Sequence, residues 1–263
     1  MFSYLAEIVA LTFLGFGSIY PLLLWLTPKA LIDEGFYRFN QGMASIVIAI
    51  GMIFIYISLT LYNNTYIGVF WIFLQLVTTA IYWNKKNINN IYISIPPFIG
   101  IIYLLLIMSQ ILHVDIDILD YIIIFISFSI IAIVFFSMIL GHWYLNVIAL
   151  PISLLKKSTT ALSAALAIRI IWDVFFMTSN LYVDSYGITK NSWSFLFDFD
   201  GILLLVALFM GNIFPAFINY FVWSTLKIQA TQSATGLLYV SIISILFGDI
   251  IFKFYLLQYR LPL

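Results

Sequence analysis

Residues 121–140 read YIIIFISFSIIAIVFFSMIL, twenty consecutive positions without a charged side chain. At 1.5 Å per residue a helix of that length spans about 30 Å, the thickness of the hydrocarbon layer of a bilayer. A helix in a soluble domain keeps one polar face for water, and this run has none. It is the centre of a longer apolar segment, 119–145. Seven further segments resemble it, at about 3–26, 41–62, 65–83, 91–112, 158–180, 199–225 and 231–257. In lipid each segment must satisfy its own backbone N–H and C=O groups, which selects the α-helix. β-Barrel strands would be shorter and would alternate in polarity. The expected fold is all-α: a polytopic membrane protein, a bundle of about eight transmembrane helices making one domain over 1–263 with no soluble domain.

Composition agrees. Of 263 residues, 64% are apolar and 8% are charged, with a mean hydropathy of +1.11, whereas a soluble domain carries about 25% charged residues. The eleven basic and eleven acidic side chains cancel, and no basic patch is present to hold nucleic acid. Cysteine is absent, which excludes thiolate zinc sites, iron–sulfur ligation and a cysteine nucleophile within this chain. Met1-Phe2-Ser3-Tyr4 lacks a basic leader region and Glu7 follows early, so the first apolar segment reads as a retained helix rather than a cleaved signal.

The loops set an orientation. Lys29, Arg38, Lys85, Lys86, Lys156, Lys157 and Lys227 all follow odd-numbered segments, whereas Asp115, Asp117, Asp120, Asp184, Asp198 and Asp200 lie in the alternate loops beside Lys190. By the positive-inside rule both termini face outward. Pro96 and Pro97 are expected in the first turn of the fourth helix, where a missing N–H matters little. Pro215, just after Gly211 and Asn212, is expected to kink the seventh. The outer loop from Asn180 to Asp198 is aromatic and acidic, a candidate docking segment.

Ionisable groups within a span are candidates for function. Arg169 and Asp173 lie four residues apart near the middle of the sixth segment, hence on one face. Asp249 and Lys253 repeat that spacing in the eighth. For Lys253 the expectation is snorkelling to the outer headgroups. Glu7 in the first segment and Asn212 in the seventh complete the intramembrane set, with Glu7, Asp173 and Asp249 expected to converge in the outer half of the bundle. His142 and Tyr144 belong to the cluster Gly141-His142-Trp143-Tyr144-Leu145-Asn146 at the basic side, read either as an interfacial anchor or as the wall of a quinone or headgroup pocket. His113 and His142 are separated by the length of the fifth helix and cannot ligate one metal or haem together. The helices with internal charges also begin with small residues, Ser158-Thr159-Thr160-Ala161 and Thr231-Gln232-Ser233-Ala234, which suit close packing.

Gly141–Asn146, the run Gln232-Ser233-Ala234-Thr235-Gly236-Leu237-Leu238-Tyr239, and Gly248-Asp249 with Leu261-Pro262-Leu263 resemble segments of uncharacterised bacterial polytopic membrane proteins. The helix count is similar to that of the membrane subunits of polysulfide reductase (NrfD-like) complexes, an analogy that implies quinone handling. The expectation is a membrane subunit of a respiratory or other redox complex, contributing a quinone site at Arg169, Asp173, Asp249, Glu7, Asn212, His142 and Tyr144. Alone it is not expected to be catalytic or to bind a metal or cofactor other than a quinone. Its partners would be lipids and other subunits of the complex, and its place an inner (plasma) or equivalent energy-transducing membrane. A small proton-coupled transporter and a structural anchor or assembly factor are the alternatives.

Overall fold

The computed structural model describes residues 4–28, 31–58, 64–83, 89–112, 117–147, 150–183 and 188–263. His113, Lys29, Lys85, Lys86, Asp115 and Asp184 lie outside the described residues. Among the described residues, eight helices are long and apolar enough to cross a membrane. The first span is α1 (Leu5–Ile19), tightened into a 3-10 segment over Tyr20–Leu26 from the point where Pro21 interrupts the α-helical ladder. Single helices make the next five: α2 (Glu34–Ile57), α3 (Thr65–Tyr82), α4 (Asn90–Leu112), α5 (Ile118–Asn146) and α6 (Ser153–Ser179). A small hairpin, β1 (Leu181–Val183) against β2 (Thr189–Asn191), and the single turn α7 (Ser192–Phe195) follow. The seventh span is composite: α8 (Ile202–Leu208), a π turn over Phe209–Ile213, and α9 (Phe214–Lys227). The eighth is α10 (Thr231–Tyr259).

Several boundaries differ from expectation, each for a local reason. α2 begins at Glu34 rather than 41, because the Asp33 side chain caps it by accepting from the Phe36 N–H at 3.1 Å. Glu34 and Arg38 then pair one turn apart at 3.8 Å. α6 begins at Ser153, so Lys156 and Lys157 lie in its first turns and not in a loop. α4 begins at Asn90, where the Asn89 side chain accepts from the Ile91 N–H at 3.0 Å. Pro96 and Pro97 therefore lie inside the helix and not in its first turn.

Large apolar side chains point outward all round the bundle: Tyr56, Ile171 and Ile243 are at least two-thirds exposed. Such a surface is stable in lipid and not in water. The chain is a multi-pass membrane protein. α5 lies at the centre, packed on α1, α6 and α10, whereas α3 is peripheral and exposes most of its surface. On the side opposite Lys156 and Lys157, β1, β2 and α7 form a cap with residues 261–263. In it Leu196 and Leu263 join Phe252, Tyr255 and Leu204 in one apolar cluster, and the Trp172 indole donates to the Pro262 carbonyl at 2.8 Å. Tyr182 donates to Asp198, and that bond to the carboxylate raises its phenol above the ordinary tyrosine value.

Labelling tests the orientation directly in this cysteine-free chain. In Lys157→Cys the thiol is expected to react with an impermeant maleimide only after permeabilisation, and in Phe199→Cys, on the 93% exposed side chain, in intact cells. The reverse pattern would invert the topology.

Candidate functional site

The buried charges converge where α1, α5, α6, α10 and the π turn meet. Arg169 is 1% exposed. Its Nε lies 3.4 Å from Asp173 Oδ1, its Nη1 donates to the Ile123 carbonyl of α5 at 3.2 Å, and its guanidinium sits 4.8 Å over the Phe252 ring. Asp173 also accepts from Asn212 Nδ2. Asp249 pairs with Lys253 and accepts from Ser127 Oγ at 2.8 Å and from Thr12 Oγ1 at 3.2 Å. Lys253 Nζ lies 5.3 Å from the centre of the Phe128 ring. Arg169 and Lys253 balance Asp173 and Asp249, so the cluster is neutral in total, the condition under which ions persist at this depth.

Arg169, Asn212, Asp249 and Ser127 border one cavity of about 10 Å³, room for about one water. Arg169 Nη2 and Asp173 Oδ1 are buried without a hydrogen-bond partner among the described residues. One member of each ion pair, Arg169 and Asp249, therefore borders the same small cavity.

The π turn makes this geometry possible. Pro215 has no N–H, and in π register its acceptor would be the Met210 carbonyl. Ser244 of α10 donates to that carbonyl instead, so the break carries no unsatisfied group there. The turn also brings Gly211 onto Gly248 of α10. A methyl group at 248 would lie 2.6 Å from the Gly211 nitrogen and 3.2 Å from the Ala207 carbonyl oxygen. The expected kink at Pro215 is thus a register change that sets Asn212 against Asp173.

Of the candidates read from sequence, Arg169, Asp173, Asn212 and Asp249 come together. Glu7 does not line the cavity; it is half-buried, with Oε2 lacking a partner among the described residues. The first helix reaches Asp249 through Thr12 instead. His142 is exposed and Tyr144 donates to the Pro151 carbonyl. Tyr144 borders a separate opening of about 590 Å³ with Gln229, Thr231 and Gln232, about 25 Å along α5 from Ser127 by the rise per residue. Neither belongs to the charge cluster. Lys253 departs from the expectation of snorkelling: it is 3% exposed. α10 continues to Tyr259, so Lys253 sits about 9 Å short of the helix end, beneath the cap. Thr12 and Ser127 carried no sequence signal, since hydroxyls are frequent in these spans. Among the described residues no group of three or more His, Asp or Glu is placed to hold a metal ion.

A second cavity, of about 290 Å³, opens between α2 and α10. Thr12, Phe16 and Ile131 form its buried floor, and Met43, Val47 and Ile250 are among its half-buried walls. Ile131 borders both cavities.

Fold and site together define a polytopic α-helical membrane protein with an internally neutralised charge cluster. No family model, curated protein or solved structure matches the chain.

Proposed function

We propose that this chain is the quinone-handling membrane subunit of a redox complex in an inner or equivalent energy-transducing membrane, and that the cluster around Asp249 exchanges protons with the quinone. The observation that carries this reading is the setting of Asp249. Its buried carboxylate is held by hydroxyls from two other spans and by an ammonium one turn away. A hydroxyl can donate to a carboxylate or accept from a carboxylic acid, so these two bonds fit either form, whereas the ion pair with Lys253 exists only with the charged one. Thr12 Oγ1 has one proton and two acceptors, the Ile8 carbonyl at 2.9 Å and Asp249 Oδ2 at 3.2 Å. It donates to a charged Asp249, or accepts from a protonated one while donating to Ile8.

Reduction of a quinone to a quinol takes two electrons and two protons. In this reading the electrons come from a redox centre in a partner subunit, this chain having no cysteine to ligate an iron–sulfur cluster, and Asp249 and Lys253 pass the protons on. The space beside Arg169 does not admit a quinone ring, so Arg169 acts here through the cluster, holding Asp173 and balancing its charge. The helix count is similar to that of polysulfide reductase membrane subunits, which is compatible with the reading by analogy.

Extraction of the native complex in mild detergent tests it. Mass spectrometry is expected to find fixed-stoichiometry partners that carry redox centres. Asp249→Asn combined with Lys253→Met removes both charges of the pair, a change often neutral for stability, and is expected to leave abundance near wild type and lower quinone turnover at least roughly tenfold, about 1.4 kcal/mol in the barrier. A chain that comes out alone and without effect on any quinone reaction would favour a proton-coupled carrier instead. One observation suits that second reading: the broken seventh span beside Asp173, since interrupted helices mark transport sites.

A further inference from the structure

We infer that the crevice between α2 and α10 is the quinone's site of access from the bilayer, holding the isoprenoid tail and delivering the head group to Thr12. The inference rests on the reading above and assigns it a place, a route and a contact residue.

The crevice faces lipid. On α10 its wall residues Leu246 and Ile250 share a helical stripe with Ile243 and Phe247, which are 71% and 48% exposed. On α2, Val47 adjoins Ile46, 63% exposed. A tail can therefore enter sideways without crossing water. At about 290 Å³ the space is just below the roughly 300–1,000 Å³ usual for small-molecule sites, as suits a site that holds part of a ligand whose remainder stays in lipid. The described residues that line it carry no charge. Phe16 meets Phe135 edge-on at 5.4 Å between ring centres, which offers an aromatic wall to a flat ring.

The floor selects the head group. Thr12 is the one hydrogen-bonding side chain of the described lining, and its hydroxyl lies against Asp249. It sits about 10 Å below the Leu5 end of the span by the rise per residue. A phospholipid head brought to that depth would have to shed the hydration of its phosphate, at a cost of several kcal/mol per charge. A quinone head is neutral and needs only hydrogen-bond donors at its carbonyl oxygens. Thr12 supplies one by giving its single hydroxyl proton to the quinone carbonyl, and is connected to Asp249 by accepting from that residue's protonated form. The observations therefore favour a neutral-headed isoprenoid quinone over a membrane phospholipid.

Photolabelling tests the assignment. The full chain in nanodiscs is irradiated with a quinone bearing a diazirine on its isoprenoid tail, with adducts mapped by peptide mass spectrometry. A diazirine phosphatidylcholine is run in parallel. Quinone adducts are expected in residues 9–16, 43–47 and 246–250, competed by unlabelled quinone. Val47→Trp and Ile250→Trp, which fill the crevice, are expected to lower them at least tenfold. Thr12→Val, of equal shape, is expected to weaken the competition at least threefold. Each variant is checked for wild-type elution and melting, and a variant that fails is replaced by Met43→Trp. Quinone adducts elsewhere on the chain, or adducts indifferent to the tryptophans, would overturn the crevice while leaving the proposed function standing. Labelling by the phospholipid that quinone does not compete would make the crevice a lipid site and overturn the inference too. Failure of the proposed function shows separately, as absence of quinone turnover in the native complex.

Discussion

Arg169→Leu and Asp173→Leu, made singly, are each expected to deplete the folded protein, with a loss equivalent to about 3–5 kcal/mol. Arg169 is 1% and Asp173 5% exposed, and each removal strands a charge in a low-dielectric interior. The two losses are not equal. Asp173 left alone can take up a proton and keep its bond from Asn212, whereas a guanidinium does not deprotonate in proteins. Asp173→Leu is therefore expected at the upper end of the range. The double variant removes both charges and replaces them with apolar volume, a change that is often neutral for stability, so abundance is expected to recover. Turnover is expected to stay at least roughly tenfold down, because the charge facing Asp249 across the small cavity is gone. Chemical-denaturant unfolding in detergent micelles reads the first effect, and quinone reduction by the native complex the second. A fully active double variant would make the pair a packing device and confine the exchange of protons to Asp249 and Lys253.

Gly248→Ala is expected to be among the most damaging single-methyl additions in the chain. The added carbon meets backbone on two sides, the Gly211 nitrogen at 2.6 Å and the Ala207 carbonyl oxygen at 3.2 Å. Backbone cannot turn away as a side-chain tip can. α8 and the π turn must move off α10, and Asn212 moves with them. Overpacking of this kind costs about 1–3 kcal/mol, occasionally more, and the upper end is expected here. Gly236→Ala on the same helix is the control. Nothing lies within 4 Å of its added carbon, and alanine is favoured over glycine in a helix interior by about 1 kcal/mol. Opposite shifts in the thermal midpoints of the two variants would confirm that close helix crossing, and not helix propensity, governs position 248. Equal shifts would refute it.

The lateral order of the spans was not legible in the apolar pattern. In water a helix announces its buried face by contrast with a polar one. In lipid both faces are apolar, since hydrocarbon tails are as apolar as leucine. α3 and α5 are both predominantly apolar, yet α3 lies at the rim and α5 at the centre. The charged and amide side chains within the spans were the exception. Arg169, Asp173, Asn212 and Asp249 are legible because an intramembrane polar group is costly wherever it sits. Lys253 was visible too, but its depth was not, because that depends on how far α10 extends and on what caps it.

The sequence by itself determined the number of spans, their helical nature and the presence of two opposite-charge pairs one turn apart. These follow from local quantities: run length against bilayer thickness, backbone satisfaction within each segment, and i, i+4 geometry. Only the tertiary structure decided that Arg169 and Asp249, one from each pair, border one cavity, that Thr12 rather than Glu7 reaches Asp249, and that His142 and Tyr144 stand apart. It also decided that a π turn precedes Pro215, with Ser244 donating to the Met210 carbonyl. Each of these depends on which helix faces lie against one another. That choice rests on small-residue crossings such as Gly211 on Gly248 and on hydrogen bonds between spans, terms that involve residues far apart in the chain and leave no periodic mark in it.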